Sequence, residues 1–326
     1  MKAILCKAYG PPSSLVLADL PAPPPKAGEI AIDVKAAGVN FPDVLIVQGK
    51  YQFKPEPPFS PGAEVAGLVS AVGEGVTAYR VGDRVAAHML WGGYAEVVCV
   101  PAADVVPLPQ GIDWPVAASF SLTYGTSYYA LKDRAALDAG ETLLVLGASG
   151  GVGLAAVELG KLMGARVIAA ASSAEKLETC KRYGADAVID YEREDLREAI
   201  KKHTAGRGVD VVYDPVGGKY SEPAVRGLAW GGRHLVVGFA AGEIPRIPLN
   251  LMLLKGASIV GVFWGQFTRV APDAHQANAR QLTDWIAAGR LRPLVSKTYP
   301  FAAASAALED MMNRRVQGKV ALVVGA

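Results

Sequence analysis

The chain has 326 residues, 51% hydrophobic and 20% charged. At about 150 residues per domain that suggests two domains, and it excludes disorder as the dominant state. With 33 Lys and Arg against 31 Asp and Glu the net charge is +2, too little for binding to nucleic acid or a membrane surface by bulk charge. No basic run exceeds a pair such as Lys201-Lys202.

Three cysteines, Cys6, Cys99 and Cys180, lie far apart without a C-x-x-C spacing. That argues against a disulfide framework and fits a reducing compartment, so a cytoplasmic location is expected. The N-terminus has no apolar stretch long enough for a signal peptide. The longest uncharged window, 114–131, carries Pro115 and several hydroxyl residues, so it reads as buried protein and not as a membrane span.

Taken in chain order, the first third reads as β. Residues 29–36 alternate, with Ile30, Ile32, Val34 and Ala36 on one face. Further strands are expected at 65–72, 84–87 and 94–100, punctuated by Gly and Pro, which suggests a small barrel-like domain. From about residue 120 the grammar changes. Apolar runs at 143–146, 167–171, 188–189, 209–213 and 235–238 alternate with helical patterns at 152–163, 175–183, 196–204 and near 220–228. Strands that are apolar throughout, each followed by a helix, mean a parallel sheet covered on both faces, with 259–263 as its last strand. The tail returns to mixed structure. Helices are expected at 274–288 and 301–313, and the terminal strand 319–324 is placed with the first domain.

The sharpest local signal is Leu143-Leu144-Val145-Leu146-Gly147-Ala148-Ser149-Gly150-Gly151-Val152-Gly153. A strand runs through a glycine loop into a helix. The frame is A-x-G-x-x-G, with Ala148 where the first Gly of the dinucleotide fingerprint stands. Gly150 lets backbone N–H groups approach a pyrophosphate, and Gly153 permits close helix–strand packing. The helix N-terminus then faces the anion. About 20 residues on, where an NAD site wants an acid for the ribose hydroxyl, the chain has Ser172-Ser173. Glu175 stands three residues past Ser172, at capping-box spacing, and reads as a helix-start residue. Two hydroxyls plus Lys176 suit a 2′-phosphate, so NADPH is expected over NADH; the plainer reading is an N-cap and a solvated lysine.

These residues resemble the zinc-free quinone oxidoreductases (the zeta-crystallin group) of the medium-chain dehydrogenase/reductase superfamily. The likeness rests on Gly140-Glu141, Leu144, Ala148-Ser149-Gly150-Gly151 and Gly153. It extends to Gly38-Val39-Asn40-Phe41-Pro42-Asp43, Pro61-Gly62-Ala63-Glu64-Val65-Ala66-Gly67, Val81-Gly82-Asp83-Arg84-Val85, Asp214-Pro215-Val216-Gly217-Gly218 and Gly318-Lys319-Val320. Glu158 departs from the group's usual Gln. The resemblance implies an α/β protein: a GroES-like β-barrel catalytic domain from both termini, over 1–122 and 264–326, and a Rossmann doubly wound parallel-sheet cofactor domain over 123–263. It also implies a homodimer.

Zinc-dependent relatives place their ligands at positions corresponding to Asn40, Ala63 and Ala118, two of which cannot bind zinc, and Asn alone is a poor ligand. No metal is therefore expected. The four histidines, His88, His203, His234 and His275, show no metal spacing. Carried over, the group's contacts put Asn40 and Thr126 near the nicotinamide end and Gly151 and Val152 at the pyrophosphate. Ser172, Lys176, Tyr191 and Arg314 would surround the 2′-phosphate, and Phe239 and Phe263 would line the nicotinamide–ribose region. Without zinc, the charge that hydride transfer leaves on an acceptor oxygen must be met by donors, for which Asn40 and Tyr51 are the candidate catalytic residues. The expected activity is reduction of a quinone by NADPH. The alternatives are reduction of a 2-enal, 2-enone or enoyl thioester, and a non-catalytic NADPH-binding role.

Overall fold

Runs rich in Val, Ile and Ala, separated by Gly and Pro, open the computed structural model, which describes residues 1–325. The strands there are β1 (Lys2–Leu5), β2 (Val16–Asp19), β3 (Glu29–Val39), β4 (Glu64–Val72), β5 (Arg84–His88), β6 (Val97–Pro101) and β7 (Val105–Pro107). Next come β8 (Thr142–Leu146), β9 (Arg166–Ala171), β10 (Ala187–Asp190), β11 (Val209–Asp214), β12 (Leu228–Val236) and β13 (Ser258–Gly261), and then β14 (Val295–Pro300) and β15 (Lys319–Val323). The chain divides into two compact units, one of Met1–Leu122 with the described residues from Pro272 on, the other Thr123–Ala271.

In the first unit one sheet runs in the order β14-β15-β3-β4-β5-β7, with β6 also on β3. β3 is antiparallel to β15, β4 and β6, so the C-terminal strand lies beside a strand near the N-terminus. The alternating residues Ile30, Ile32, Val34 and Ala36 are all enclosed. Ile30, Ile32 and Val34 share a core with Val65, Val85, Val98, Val320 and Leu322. Each such side chain contributes about 1.5–3 kcal/mol by leaving water. β6 starts at Val97, later than the pattern suggests. Tyr94 is held in the preceding turn, its N–H donating to Pro61 O at 2.8 Å and its carbonyl accepting from Ile4 N at 2.9 Å. The hairpin β1–β2, strand β14 and the helix Phe41–Val47 gave no clear periodic signal; they are short.

The second unit carries a six-stranded, all-parallel sheet in the order β10-β9-β8-β11-β12-β13. Counted within the unit that order is 3-2-1-4-5-6, the doubly wound dinucleotide-binding arrangement. β12 begins at Leu228, well before the 235–238 run, because residues 229–232 bulge opposite β11 and Gly231 takes a φ of 74°. The helix Trp264–Val270 belongs with this unit, eight residues beyond the boundary expected at 263. Phe267 stacks on Tyr129 with ring centroids 4.2 Å apart, and Trp264 lies against Gly125, where a Cβ would come within 2.8 Å of the indole. The uncharged window 114–131 folds into two short helices, Trp114–Ala117 and Ser121–Tyr128, and the start of a π-helical turn. Among the described residues no helix is long and apolar enough to cross a membrane.

Candidate functional site

In the parallel-sheet unit the order of strands reverses between β8 and β11, and ligands of such sheets bind beyond the carboxyl ends of the strands at that point. Two loops meet there. After β8, Gly147 takes a φ of 58°, and a Cβ on it would strike Val216 of the loop after β11 at 2.8 Å. The left-handed turn therefore falls on Gly147, one residue before Ala148, which explains why Ala can stand where the fingerprint has its first Gly. Ala148 is buried, its N–H donating to Ala170 O of β9 at 3.0 Å.

Gly150 is the N-cap of the helix Gly151–Leu162, and no side chain caps that end. The first-turn N–H groups of Gly151, Val152 and Gly153 have no intrahelical partner by helix geometry. They are fit to take an anion. A Cβ on Gly153 would lie 2.3 Å from Gly147 O and 2.8 Å from Ala148 Cα, so only Gly allows helix and loop to close. A Cβ on Gly150 would meet only Gly147 O, at 3.4 Å. That glycine is not needed for packing, and its bare face is what a pyrophosphate can approach.

Beyond β9, Ser173 caps the helix Ala174–Arg182 and accepts from Lys176 N at 3.4 Å. The cap is thus one residue later than the Ser172–Glu175 spacing suggests, with Glu175 in the first turn. Ser172 is left to accept from Lys176 Nζ at 3.2 Å. Beyond β10, Tyr191 donates its N–H to Ala171 O at 3.2 Å and lies against Tyr220, ring centroids 4.4 Å apart. Tyr220 donates in turn to Glu192. Ser172, Ser173 and Lys176 thus follow β9, the strand next to β8 and its glycine loop, and Tyr191 follows β10, one strand further out.

The loop after β11 is pinned by Asp214. Its Oδ1 accepts from Val216 N at 2.9 Å and Gly217 N at 2.8 Å, and its Oδ2 from Ser221 Oγ at 2.5 Å. His234 Nε2 lies 3.3 Å from Oδ2. Burial pushes this carboxyl up, but the bonds from His234, Gly217 and Ser221 outweigh it and hold it below the ordinary Asp value. Phe239 and Phe263 follow the ends of β12 and β13, and both rings are exposed. Thr126 lies on Ser121–Tyr128 and is half-buried. Glu158 is enclosed and accepts the Tyr124 hydroxyl, so the departure at this position is an interior polar pair.

In the first unit, Asn40 closes β3 and caps Phe41–Val47. Its N–H donates to Asp43 Oδ2 at 2.8 Å, its Nδ2 donates to Glu64 Oε1 at 3.0 Å, and its Oδ1 accepts from Lys319 Nζ. Lys319 Nζ also donates to Glu64 Oε1 at 2.7 Å and Val39 O at 2.8 Å. Tyr94 donates to Asp43 Oδ2 at 2.9 Å. All five residues are buried. Burial is the main reason the Asp43 carboxyl is pushed up to about 7, against the pull of Asn40 N–H, Tyr94 and Lys319. Of the three positions compared with zinc ligands, only Asn40 has a polar side chain, and it donates to Glu64. A Cβ on Gly38 would sit 2.1 Å from Ala118 O and 2.6 Å from Glu64 Oε1. Among the described residues no group of His, Cys, Asp and Glu side chains has a metal-holding arrangement.

Tyr51 is half-buried against Cys6, Ile46, Val47 and Phe59, with Phe53 at 6.1 Å, so its ring packs on this cluster. Burial and the neighbouring charge of Asp43 push its phenol above the ordinary Tyr value, so it stays a neutral donor. Arg314 is exposed and left-handed, φ 57°, just past the helix Ala304–Met312. Its N–H donates to Met311 O at 3.1 Å and that of Arg315 to Asp310 O at 3.0 Å, the pattern of a glycine cap with Arg in the glycine's place. Arg315 also reaches Asp310 Oδ1 at 3.4 Å, which separates the neighbouring arginines. Glu64, Lys319 and Tyr94 had no role assigned from sequence. The available signal was an acid and a lysine beginning otherwise apolar strands.

An all-parallel 3-2-1-4-5-6 sheet with a capless glycine loop in one unit, and in the other a β sheet joined from both chain ends, define a two-unit dehydrogenase/reductase fold. The GroES-like domain of alcohol dehydrogenases matches residues 26–110, and the family described as zinc-binding dehydrogenase matches residues 151–286. A "Quinone oxidoreductase-like protein 2 homolog" of Nematostella vectensis is 36% identical, over 98% of this chain and 88% of that protein. A mycobacterial protein solved with NADPH superposes with a TM-score of 0.93 at 35% identity, covering 99% of this chain and 100% of the other. The Escherichia coli quinone oxidoreductase solved with NADPH gives 0.92 at 31%, covering 99% and 100%. The chain belongs to the medium-chain dehydrogenase/reductase family, among its zeta-crystallin-like quinone oxidoreductases.

Proposed function

We propose that the protein is a zinc-independent, NADPH-dependent oxidoreductase that reduces a quinone. The observation carrying the cofactor is Ser172 with Lys176 at the end of β9, where an NAD site would present an acid. A 2′-phosphate there takes a charge-assisted bond from Lys176, stronger than a neutral one. Tyr191 and Arg314 complete its surroundings in this reading. Gly150 and the N–H groups of Gly151, Val152 and Gly153 hold the pyrophosphate. Asn40, Thr126, Phe239 and Phe263 serve the nicotinamide end. NADPH supplies a hydride when bound; the chain's own residues orient the acceptor and meet the charge that forms on its oxygen. Tyr51, a neutral phenol, donates a proton to that oxygen, and the phenolate recovers its proton from solvent. Kinship with quinone oxidoreductases supports the quinone.

The protonated Tyr51 favours a second substrate class, 2-enals, 2-enones and enoyl thioesters, in which hydride adds at the β-carbon and the enolate must be protonated. An NADPH-oxidation screen over quinones, enals and enoyl thioesters, with EDTA present throughout, decides between the two. Quinones alone turning over supports the first reading. Failure with every acceptor, or loss of activity restored by zinc, overturns it.

We further propose a homodimer. β13 is an edge strand, and the same unit exposes Leu249, Leu253, Leu254 and Trp230, the last 81% accessible. Bare edges and apolar patches of this kind are the usual sites of self-association. Sedimentation at a monomer's mass would refute it.

A further inference from the structure

The Lys319–Glu64 pair is enclosed and joins elements far apart in sequence. The sheet explains how they meet. Gly38 of β3 lies opposite Glu64 of β4, and Val39 lies opposite Val320 of β15. The two charges therefore flank the end of β3, where Asn40 begins. Gly38 is required for this, since any Cβ there would collide with the Glu64 side chain.

The chemistry of the two groups fixes which way the Asn40 amide faces. An ammonium only donates and a carboxylate only accepts. Oδ1 must therefore face Lys319, and Nδ2 must face Glu64. One N–H of Nδ2 is engaged by Glu64 Oε1, at 3.0 Å, which leaves the second for a ligand. An unconstrained Asn presents either an acceptor or a donor; this one presents only a donor. The other oxygen of Glu64 accepts from Leu122 N at 3.0 Å, in the first turn of Ser121–Tyr128. One carboxylate thus holds both Asn40 and Leu122.

We propose that Lys319 and Glu64 are positioning residues that hold Asn40 as an obligate hydrogen-bond donor for the bound cofactor and acceptor. The proposal rests on the reading of Asn40 given above. A buried ion pair is weak evidence for stability, since apolar replacements are often as stable, so fold maintenance alone does not account for it. A preorganised donor acts where charge develops, and thus on turnover more than on affinity.

The test uses the full-length protein and three changes: Lys319→Arg, Glu64→Gln, and Glu64→Gln with Lys319→Met. The double variant removes both charges together and leaves the Asn40 amide able to turn over. Side-chain amide resonances of Asn40, assigned by their loss in Asn40→Ala, report the lock without reference to activity. Expected are a shifted, slowly exchanging amide in wild type and Lys319→Arg, and a free-amide signal in the double variant. Its kcat should fall at least ~10-fold, against the ~10²–10³ for loss of a fully used oxyanion donor, while the NADPH dissociation constant moves much less. Glu64→Gln should give a smaller loss in the same direction, and it decides the matter if the double variant does not fold. Unchanged Asn40 resonances or a wild-type kcat in the double variant, or in Glu64→Gln where the double variant does not fold, overturns the proposal. If Asn40→Ala itself turns over at the wild-type rate, the reading of Asn40 falls and takes the proposal with it. A slow Asn40→Ala beside a fast double variant sinks the positioning role alone.

Discussion

The glycine loop of the parallel-sheet unit and the polar cluster of the β unit serve ligands by opposite means. The loop works through absence of side chains. Gly147, Gly150 and Gly153 let backbone approach backbone, and no side chain caps the N–H groups that follow. The cluster works through its polar side chains. Asn40, Asp43, Glu64, Tyr94 and Lys319 hydrogen-bond to one another while buried, with Asp43 Oδ1 left unpartnered. A loop built of backbone should fail sterically when atoms are added. A cluster built of charges should fail electrostatically when they are removed or titrated.

The steric half is broken most severely at Gly153. Gly153→Ala puts a methyl between two backbone segments, and an overpacking cost of about 1–3 kcal/mol or more is expected, with loss of NADPH binding. Gly150→Ala meets nothing closer than 3.4 Å, so its denaturation midpoint should match wild type while NADPH binding weakens. Urea denaturation beside cofactor titration separates the two; equal destabilisation by both would refute the distinction.

The electrostatic half is sharpened by pH. Asp43 ionises near 7 in the folded protein against an ordinary 3.8, so the native state holds its proton more tightly than the unfolded chain. The stability this group contributes is fully present below about pH 4 and falls as pH rises to about 7. Asp43→Asn should lack that slope when denaturant midpoints are followed across the range. A variant with the wild-type slope would place the titration elsewhere.

Tyr51 stands beside the cluster without being hydrogen-bonded into it. Tyr51→Phe keeps the ring's packing and should leave NADPH affinity intact while slowing enal or enoyl reduction at least ~10-fold. With quinones the loss should be smaller, because aromatisation drives the step. Wild-type rates with both substrates would reduce Tyr51 to packing. Lys176→Ala should weaken NADPH by about tenfold, or about 1.4 kcal/mol, and NADH much less. Equal effects on the two cofactors would remove Lys176 from the 2′-phosphate.

The smallest effect is expected at Arg314. A left-handed non-glycine residue costs about 1–2 kcal/mol, part of which Gly returns through its freer unfolded chain. Arg314→Gly should therefore stabilise the protein by less than about 1 kcal/mol, yet weaken NADPH. A variant that is stabilised and binds NADPH as before would mean that the strain serves no cofactor contact.

Local grammar carried much of the cofactor unit. Apolar strands alternating with helices, Gly150 and Gly153 at their spacing, and hydroxyls with Lys176 in place of an acid are all read within a few tens of residues, because turns, helix starts and strand burial depend on near neighbours. The position of the turn at Gly147 and the cap at Ser173 slipped by one residue, since each depends on a φ angle or one hydrogen bond that spacing alone leaves open. The cluster around Asn40 was decided by tertiary structure. Glu64 and Lys319 are 255 positions apart and meet only because β4 and β15 both pair with β3. A lone Glu or Lys at the start of an apolar strand states a charge that must find a partner, and only the register of the sheet names which one.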